Sequence, residues 1–103
     1  MKGKTMTYNN VETQAVRGAI RALKAAGWEL HSVWDGEERI ATKTEKEAIE
    51  VVNSVGDSAV RFTNNGEGSS LFVVFGNNDK CDAIYDWGLK LDSVLSPLID
   101  SWM

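Results

Sequence analysis

The chain has little of three residue types that often carry structure or chemistry: one cysteine, one proline and one histidine among 103 residues. The lone thiol, Cys81, cannot form a disulfide within the chain, and a lone cysteine is typical of a reducing cytoplasm. Cys81 and the single histidine, His31, are too few for the three or four ligands of a zinc site. The sequence therefore predicts a cytoplasmic protein without a disulfide framework or a metal.

Long apolar runs are also missing. The longest compact one, Leu71 to Phe75, is far shorter than the roughly 18–20 residues that cross a bilayer. The first ten residues, Met1 to Asn10, are polar and lack the apolar core of a signal peptide. We therefore expect a soluble protein that makes no contact with a membrane.

Negative charge is in excess, but only in the second half. Residues 1–50 carry eight basic and eight acidic side chains, whereas residues 51–103 carry three basic and seven acidic ones, which supply the whole net charge of −4. Affinity for a nucleic-acid backbone needs several Lys or Arg contacts. Direct nucleic-acid binding by the second half is therefore not expected.

Hydrophobic periodicity and turn residues divide the chain into helices and strands. Helices are predicted over Val11–Ala26, Glu45–Val55 and Leu91–Trp102, and strands over Trp28–Trp34, Glu37–Thr42, Asp57–Thr63, Leu71–Phe75 and the ambiguous Cys81–Trp87. Residues 1–8 are expected to form a flexible or edge arm. The order α-β-β-α-β-β-(β)-α predicts one α+β domain over residues 1–103, an antiparallel sheet of four to five strands with two or three helices packed on one face.

Alternation in the first strand places Trp28 and Leu30 on one face, with Ser32 and Trp34 as further candidates for it, and Val33 on the other face. Gly18 interrupts the first helix, and we expect it to allow close packing against the sheet.

Three local motifs predict turns and caps. Asp35-Gly36 is a hairpin turn signal, and Thr44 with Glu47 has the spacing of a helix capping box. The run Asn64–Ser70 is rich in Asn, Gly and Ser, and we expect a flexible loop there. Pro97 leaves two alternatives for the last helix: its regular part starts after a Ser96 cap, or Asp92 caps a first turn and the helix bends at Pro97.

No catalytic set stands out. His31 and Cys81 have no partner in a recognisable nucleophile motif, and Gly66 and Gly68 lie between two strands, where they do not predict a phosphate site. A turn rich in oxygen ligands, from Asn77 to Asp82, lacks the calcium-loop pattern. We expect no cofactor, and a site built from Asp82, Asp86 and His31 is the weakest of three functional hypotheses.

Two charged surfaces are candidates for binding. Arg17, Arg21 and Lys24 form a basic stripe with helical spacing, which is typical of a solvated helix face. The second half combines aspartates with aromatic residues that interfaces favour. Its candidate partner surface consists of Asp79, Asp82, Tyr85, Asp86, Trp87, Asp92 and Trp102. The alternative is that Trp87 and Trp102 belong to the core.

The stretch Ala22–Arg39 and the ending Leu95–Met103 resemble small acidic proteins of unassigned function from bacterial phages and mobile elements. The resemblance carries over no site residues. It implies binding to host or phage macromolecules, sometimes by imitating nucleic acid. The sequence therefore predicts a non-enzymatic protein-interaction module with a protein partner of basic character, and it leaves a homodimer open. The alternative is an acidic inhibitor that mimics nucleic acid and binds a nucleic-acid-processing or defence protein.

Overall fold

The computed structural model describes residues 11–75 and 83–102. It contains the predicted order of elements, and the expected α+β fold is confirmed. The helices are α1 (Val11–Ala25), α2 (Glu45–Val55) and α3 (Asp92–Asp100), and a short 3-10 helix, Leu89–Leu91, precedes α3. The strands are β1 (Glu29–Trp34), β2 (Arg39–Ala41), β3 (Asp57–Asn64), β4 (Glu67–Val74) and β5 (Ile84–Trp87).

The five strands form one antiparallel sheet in the order β2-β1-β3-β4-β5. The buried side chains of the helices and of one sheet face make a single hydrophobic cluster. On that face Leu30, Phe62 and Val73 meet apolar residues of the helices, among them Ile20 and Leu95. On the opposite face, which we call the open face, none of the described strand residues belongs to this cluster, and a helix borders it at Val55, the last residue of α2.

Helix α2 begins with the predicted capping box. The Thr44 side chain accepts a hydrogen bond from the Glu47 amide, and the Glu47 carboxylate accepts bonds from the backbone amides of Lys43 and Thr44 at 2.8 and 3.2 Å. These backbone donors favour the charged carboxylate, so they lower the pKa of Glu47. The cap gives α2 a defined start directly after strand β2.

The predicted faces of the first strand are wrong at its second half. Leu30 pairs with Phe62, but Ser32 pairs with Arg61, so β1 contains a bulge at His31. The extra residue reverses the alternation. As a result Val33 is buried in the core, whereas Trp34 lies on the open face with 39% of its surface exposed.

The expected flexible loop at residues 64–70 is a tight hairpin instead. Strands β3 and β4 pair up to Asn64 and Glu67, and only Asn65 and Gly66 form the turn. Both turn residues have positive φ, 52° and 85°, as a two-residue hairpin with the twist of its strands requires. Because Asn and Gly tolerate positive φ, this pair closes the hairpin, and the residues after it continue the strand.

The C-terminal segment corrects both alternatives for Pro97. Helix α3 begins at Asp92 and includes Pro97, so a start after Ser96 is wrong. Asp92 is the first helical residue and not the cap, because Leu91 holds the cap position and no side chain bonds to this end. The end of the chain also corrects the expectation for Gly18. A Cβ on Gly18 would lie 3.7 Å from the Trp102 ring, so this glycine faces the segment after α3 and not the sheet.

Candidate functional site

A row of side chains crosses the open face from strand β1 to strand β4. Trp34 pairs with Ala59, and Ala59 pairs with Phe72, so the three residues lie side by side on adjacent strands. Tyr85 on β5 extends the row, because its ring lies 6.2 Å from that of Phe72, centroid to centroid. We call the four residues Trp34, Ala59, Phe72 and Tyr85 the aromatic trough.

The trough has a small residue as its floor and aromatic residues as its walls. Ala59 separates Trp34 from Phe72 and leaves space above the middle strand. The resulting cavity has a volume of about 470 Å³, and Val55 at the end of α2 also lines it. This volume is within the roughly 300–1,000 Å³ of ligand-sized pockets. The trough can therefore receive a side chain or another small group.

Tyr85 reaches the trough through a second irregularity in the sheet. Phe72 pairs with Asp86 but Val73 pairs with Ile84, so strand β5 carries an extra residue at Tyr85. Tyr85 is 55% exposed, and its ring is tilted by 44° against that of Phe72. Aromatic pairs at such distances attract each other. This contact orients an otherwise exposed ring along the trough.

Carboxylates surround the trough. Asp35 and Asp57 line the cavity, and the exposed Asp86 pairs with Phe72 across strands β4 and β5. Asp35 Oδ1 accepts hydrogen bonds from the amides of Glu37 and Glu38, both at 2.8 Å. These two bonds lower the pKa of Asp35. The rim of the trough is therefore negatively charged at neutral pH.

The basic side chains of the open face point away from Asp57. The Arg39 guanidinium donates a hydrogen bond to Ser32 Oγ at 3.2 Å, and His31 Nδ1 lies 2.8 Å from the same oxygen. The Arg61 side chain lies over Gly68, where a Cβ would collide with its guanidinium. Ser32 is in register with Arg61, and Gly68 is in register with Thr63, two residues further along β3. Asp57 lies at the opposite end of that strand. Arg39 itself is in register with Trp34, at the β2 end of the trough row, but its guanidinium is drawn to Ser32, on the side of the row away from Asp57.

No family model matches the chain. Comparisons with curated proteins and with solved structures give no match either. Two further findings concern the described ranges, residues 11–75 and 83–102. They contain no group of three or more His, Cys, Asp or Glu side chains placed to hold a metal ion. None of their helices has the length and apolar character needed to cross a membrane.

The described residues of the predicted partner surface do not form one continuous site. Tyr85 and Asp86 lie on or beside the trough. Trp87 packs against the core, and its indole Nε1 donates a hydrogen bond to Asp92 Oδ1 at 3.0 Å. Trp102 also packs against the core, and both tryptophans are partly buried. Asp79 and Asp82 lie outside the described residues, as do Cys81 and the Asn77–Asp82 turn.

The basic stripe on α1 is partly neutralised by α2. Glu45 accepts a bond from Arg21 Nε at 2.7 Å, and the distance from its other oxygen to Arg17 Nε is 3.1 Å. The carboxylate raises the pKa of Arg21 through this hydrogen bond and its charge. Two of the three cations in the stripe are therefore engaged in joining two helices.

His31 and Asp86 are not brought together. They lie on β1 and β5, with β3 and β4 between them. Neighbouring strands are about 4.8 Å apart, so three steps across the sheet separate their backbones by roughly 14 Å. A site that needs direct contact between these two side chains is not formed.

Sequence reasoning missed most of the trough. The alternation gives Trp34 as a candidate for the face of Trp28 and Leu30, and no motif in the sequence points to Phe72 or Ala59. One signal was present: Leu71 to Phe75 is apolar at every position, and such a strand has apolar residues on both faces. Because only one face is covered by described helices, Phe72 is left on the open one.

Acid is expected to destabilise the protein in part through Asp35 and Glu47. Both pKa values are lowered in the folded state, so their stabilising effect is present above about pH 4 and is lost as the pH falls through the lowered values. Asp35→Asn combined with Glu47→Gln keeps an acceptor oxygen at each site but removes both charges. Urea unfolding at pH 7, 5 and 3 should show a smaller acid loss for this variant than for the wild type. Identical pH dependence would contradict the assignment.

Proposed function

We propose that this chain is a non-enzymatic protein-interaction module that binds its partner with the aromatic trough. One observation carries the proposal: three large aromatic side chains, Trp34, Phe72 and Tyr85, lie in one row on a sheet face that no described helix covers. Tryptophan and tyrosine are the residues most enriched at the energetic centres of protein interfaces.

The exposure of these rings supports the proposal. Trp34 is 39% exposed and Tyr85 is 55% exposed, whereas the other three tryptophans, Trp28, Trp87 and Trp102, pack in the core or against it. Leaving apolar area in water is unfavourable by about 25 cal/mol per Å². A partner that covers the trough would recover this free energy on binding.

Charge favours a basic protein over nucleic acid as the partner. Asp35, Asp57 and Asp86 lie at the trough, and a phosphate backbone would be repelled there. The nucleic-acid mimic has less support, because on the open face the carboxylates share the surface with Arg39 and Arg61. A mimic needs rows of negative charge without such interruptions.

The test compares what two variants capture from a lysate of the native cells. Replacing the two most exposed rings, Trp34→Ala with Tyr85→Ala, should remove the partner protein that the wild type recovers. Truncation of a central interface aromatic commonly costs at least about 2 kcal/mol, or roughly thirtyfold in affinity.

Leu89→Ala provides the matched control. Leu89 is an exposed apolar residue, 93% accessible, in the 3-10 helix before α3 and does not line the trough. This variant should recover the partner as the wild type does. Recovery that is unchanged in the double variant, with the variant shown to be folded by circular dichroism, would refute the proposal.

A further inference from the structure

We infer that the aromatic trough receives a cationic side chain, an arginine or lysine of a basic segment in the partner. This inference rests on the proposed function and specifies the chemistry of the same site. The site combines aromatic walls, a small floor and a rim of carboxylates. Together these features can bind a guanidinium or ammonium group, and none of them would be sufficient alone.

The spacing of the walls fits a cation. Trp34 and Phe72 stand on strands that flank the strand of Ala59, and adjacent strands are about 4.8 Å apart. A group seated over Ala59 would therefore lie about 5 Å from either neighbouring strand. Cation–π attraction extends to about 6 Å from a ring centroid and is strongest for tryptophan. A cation over Ala59 would thus have an aromatic residue on the strand to either side, and the strand spacing is shorter than the range of the attraction.

The rim supplies the complementary charge. Asp57 and Asp35 line the cavity from strand β3 and from the β1–β2 turn. Both backbone hydrogen bonds to Asp35 use Oδ1, so Oδ2 can accept from a further donor. A guanidinium presents several N–H donors in a plane, and it can stack on a ring while it bonds a carboxylate at its edge. Arginine therefore uses both parts of the site.

Cations of the described chain do not fill this position. Arg39 is the cross-strand neighbour of Trp34, but its guanidinium donates to Ser32, and Arg61 lies over Gly68; neither lines the cavity. A base of single-stranded nucleic acid could also stack on Trp34 and Tyr85. Its phosphates would meet the rim carboxylates, whereas the flanking residues of a basic peptide would be attracted by them. The negative charge of the rim therefore favours a basic peptide over single-stranded nucleic acid.

The experiment titrates the ¹⁵N-labelled full chain with two capped peptides, Gly-Arg-Gly-Arg-Gly and the same peptide with citrulline in place of arginine. Citrulline keeps the shape of the side chain but has no charge. The amide signal of Ala59 and the indole signal of Trp34 should shift with the arginine peptide, with an affinity roughly tenfold higher than for citrulline. The difference should shrink as salt is raised.

Two variants locate the effect. Asp57→Asn should reduce the preference for arginine several-fold, and Trp34→Ala should abolish the shift at Ala59. Glu67→Gln is the matched control: Glu67 is an exposed carboxylate at the start of β4, 3.5 Å from Lys90 Nζ, and it does not line the cavity. This variant should bind the arginine peptide as the wild type does.

Three results would overturn the inference: equal affinity for both peptides, no shift with either, or tighter binding of single-stranded oligonucleotide at the same signals. The proposed function fails separately. Suppose that the Trp34→Ala, Tyr85→Ala double variant loses its cellular partner, and that the wild type binds the arginine and citrulline peptides equally well. The trough is then the interface, but its preference for a cation is wrong. If the arginine preference is seen but the cellular complex survives that variant, the proposed function is wrong.

Discussion

A Val33→Asp variant is expected to be largely unfolded at room temperature, whereas Trp34→Asp, one residue further along, is expected to remain folded. The two positions are neighbours on strand β1 but face opposite sides of the sheet. Val33 has no exposed surface, and Trp34 is 39% exposed. Urea titration followed by far-ultraviolet circular dichroism measures both.

The difference arises from the free energy of burying a carboxylate. Val33 packs in the hydrophobic cluster beside Val60, with which it is in register. Moving a charged group into such surroundings costs several kcal/mol even after the protein relaxes, and the cavity left by valine adds to this. Domains of this kind are stable by only about 5–15 kcal/mol. At Trp34 the carboxylate stays in water, and the loss is on the order of 1–2 kcal/mol.

The comparison also tests the bulge at His31. Regular alternation through the strand would place Trp34 with Leu30 in the core and Val33 in solvent, and the two variants would then exchange their behaviour. A stable Val33→Asp protein together with an unfolded Trp34→Asp protein would therefore contradict the register of strands β1 and β3. Val33→Ala, which removes only two methyl groups, serves as the control for volume alone.

The elements of the fold could be predicted because their information is local. Period-3.6 apolar spacing, the Thr44 and Glu47 box and the Asp35-Gly36 turn each act within a few residues, and the structure contains all three features. The α+β class and the order of elements follow from them. Such signals do not depend on what the chain meets elsewhere in the fold.

The faces of the strands could not be predicted in the same way. A bulge changes the side to which every later residue points, and it is fixed by pairing with a distant strand. This happens twice, at His31 and at Tyr85, and both bulges affect the open face. The aromatic trough is therefore a product of long-range register. The clustering of aspartates with aromatic residues singles out Tyr85 and Asp86, but it gives no sign of Trp34 or Phe72.

A Phe62→Ala variant is expected to show the largest loss of stability among single truncations of the sheet, about 3–5 kcal/mol. Phe62 is fully buried and has the largest volume among the fully buried side chains of the described chain. For a domain of about 100 residues this corresponds to a fall in melting temperature of roughly 15–30 °C. Thermal unfolding monitored by tryptophan fluorescence gives the value directly.

Phe72→Ala is the matched control, because it removes the same side chain from the adjacent strand. Phe72 lies on the open face and is half-buried, so its truncation leaves water where the ring was and creates no closed cavity. We expect a loss of about 1 kcal/mol or less. Equal losses at both positions would show that the open face is covered in solution. If the losses differ as expected, Phe72→Ala removes one wall of the trough from a folded protein, and binding can be measured without a change in fold.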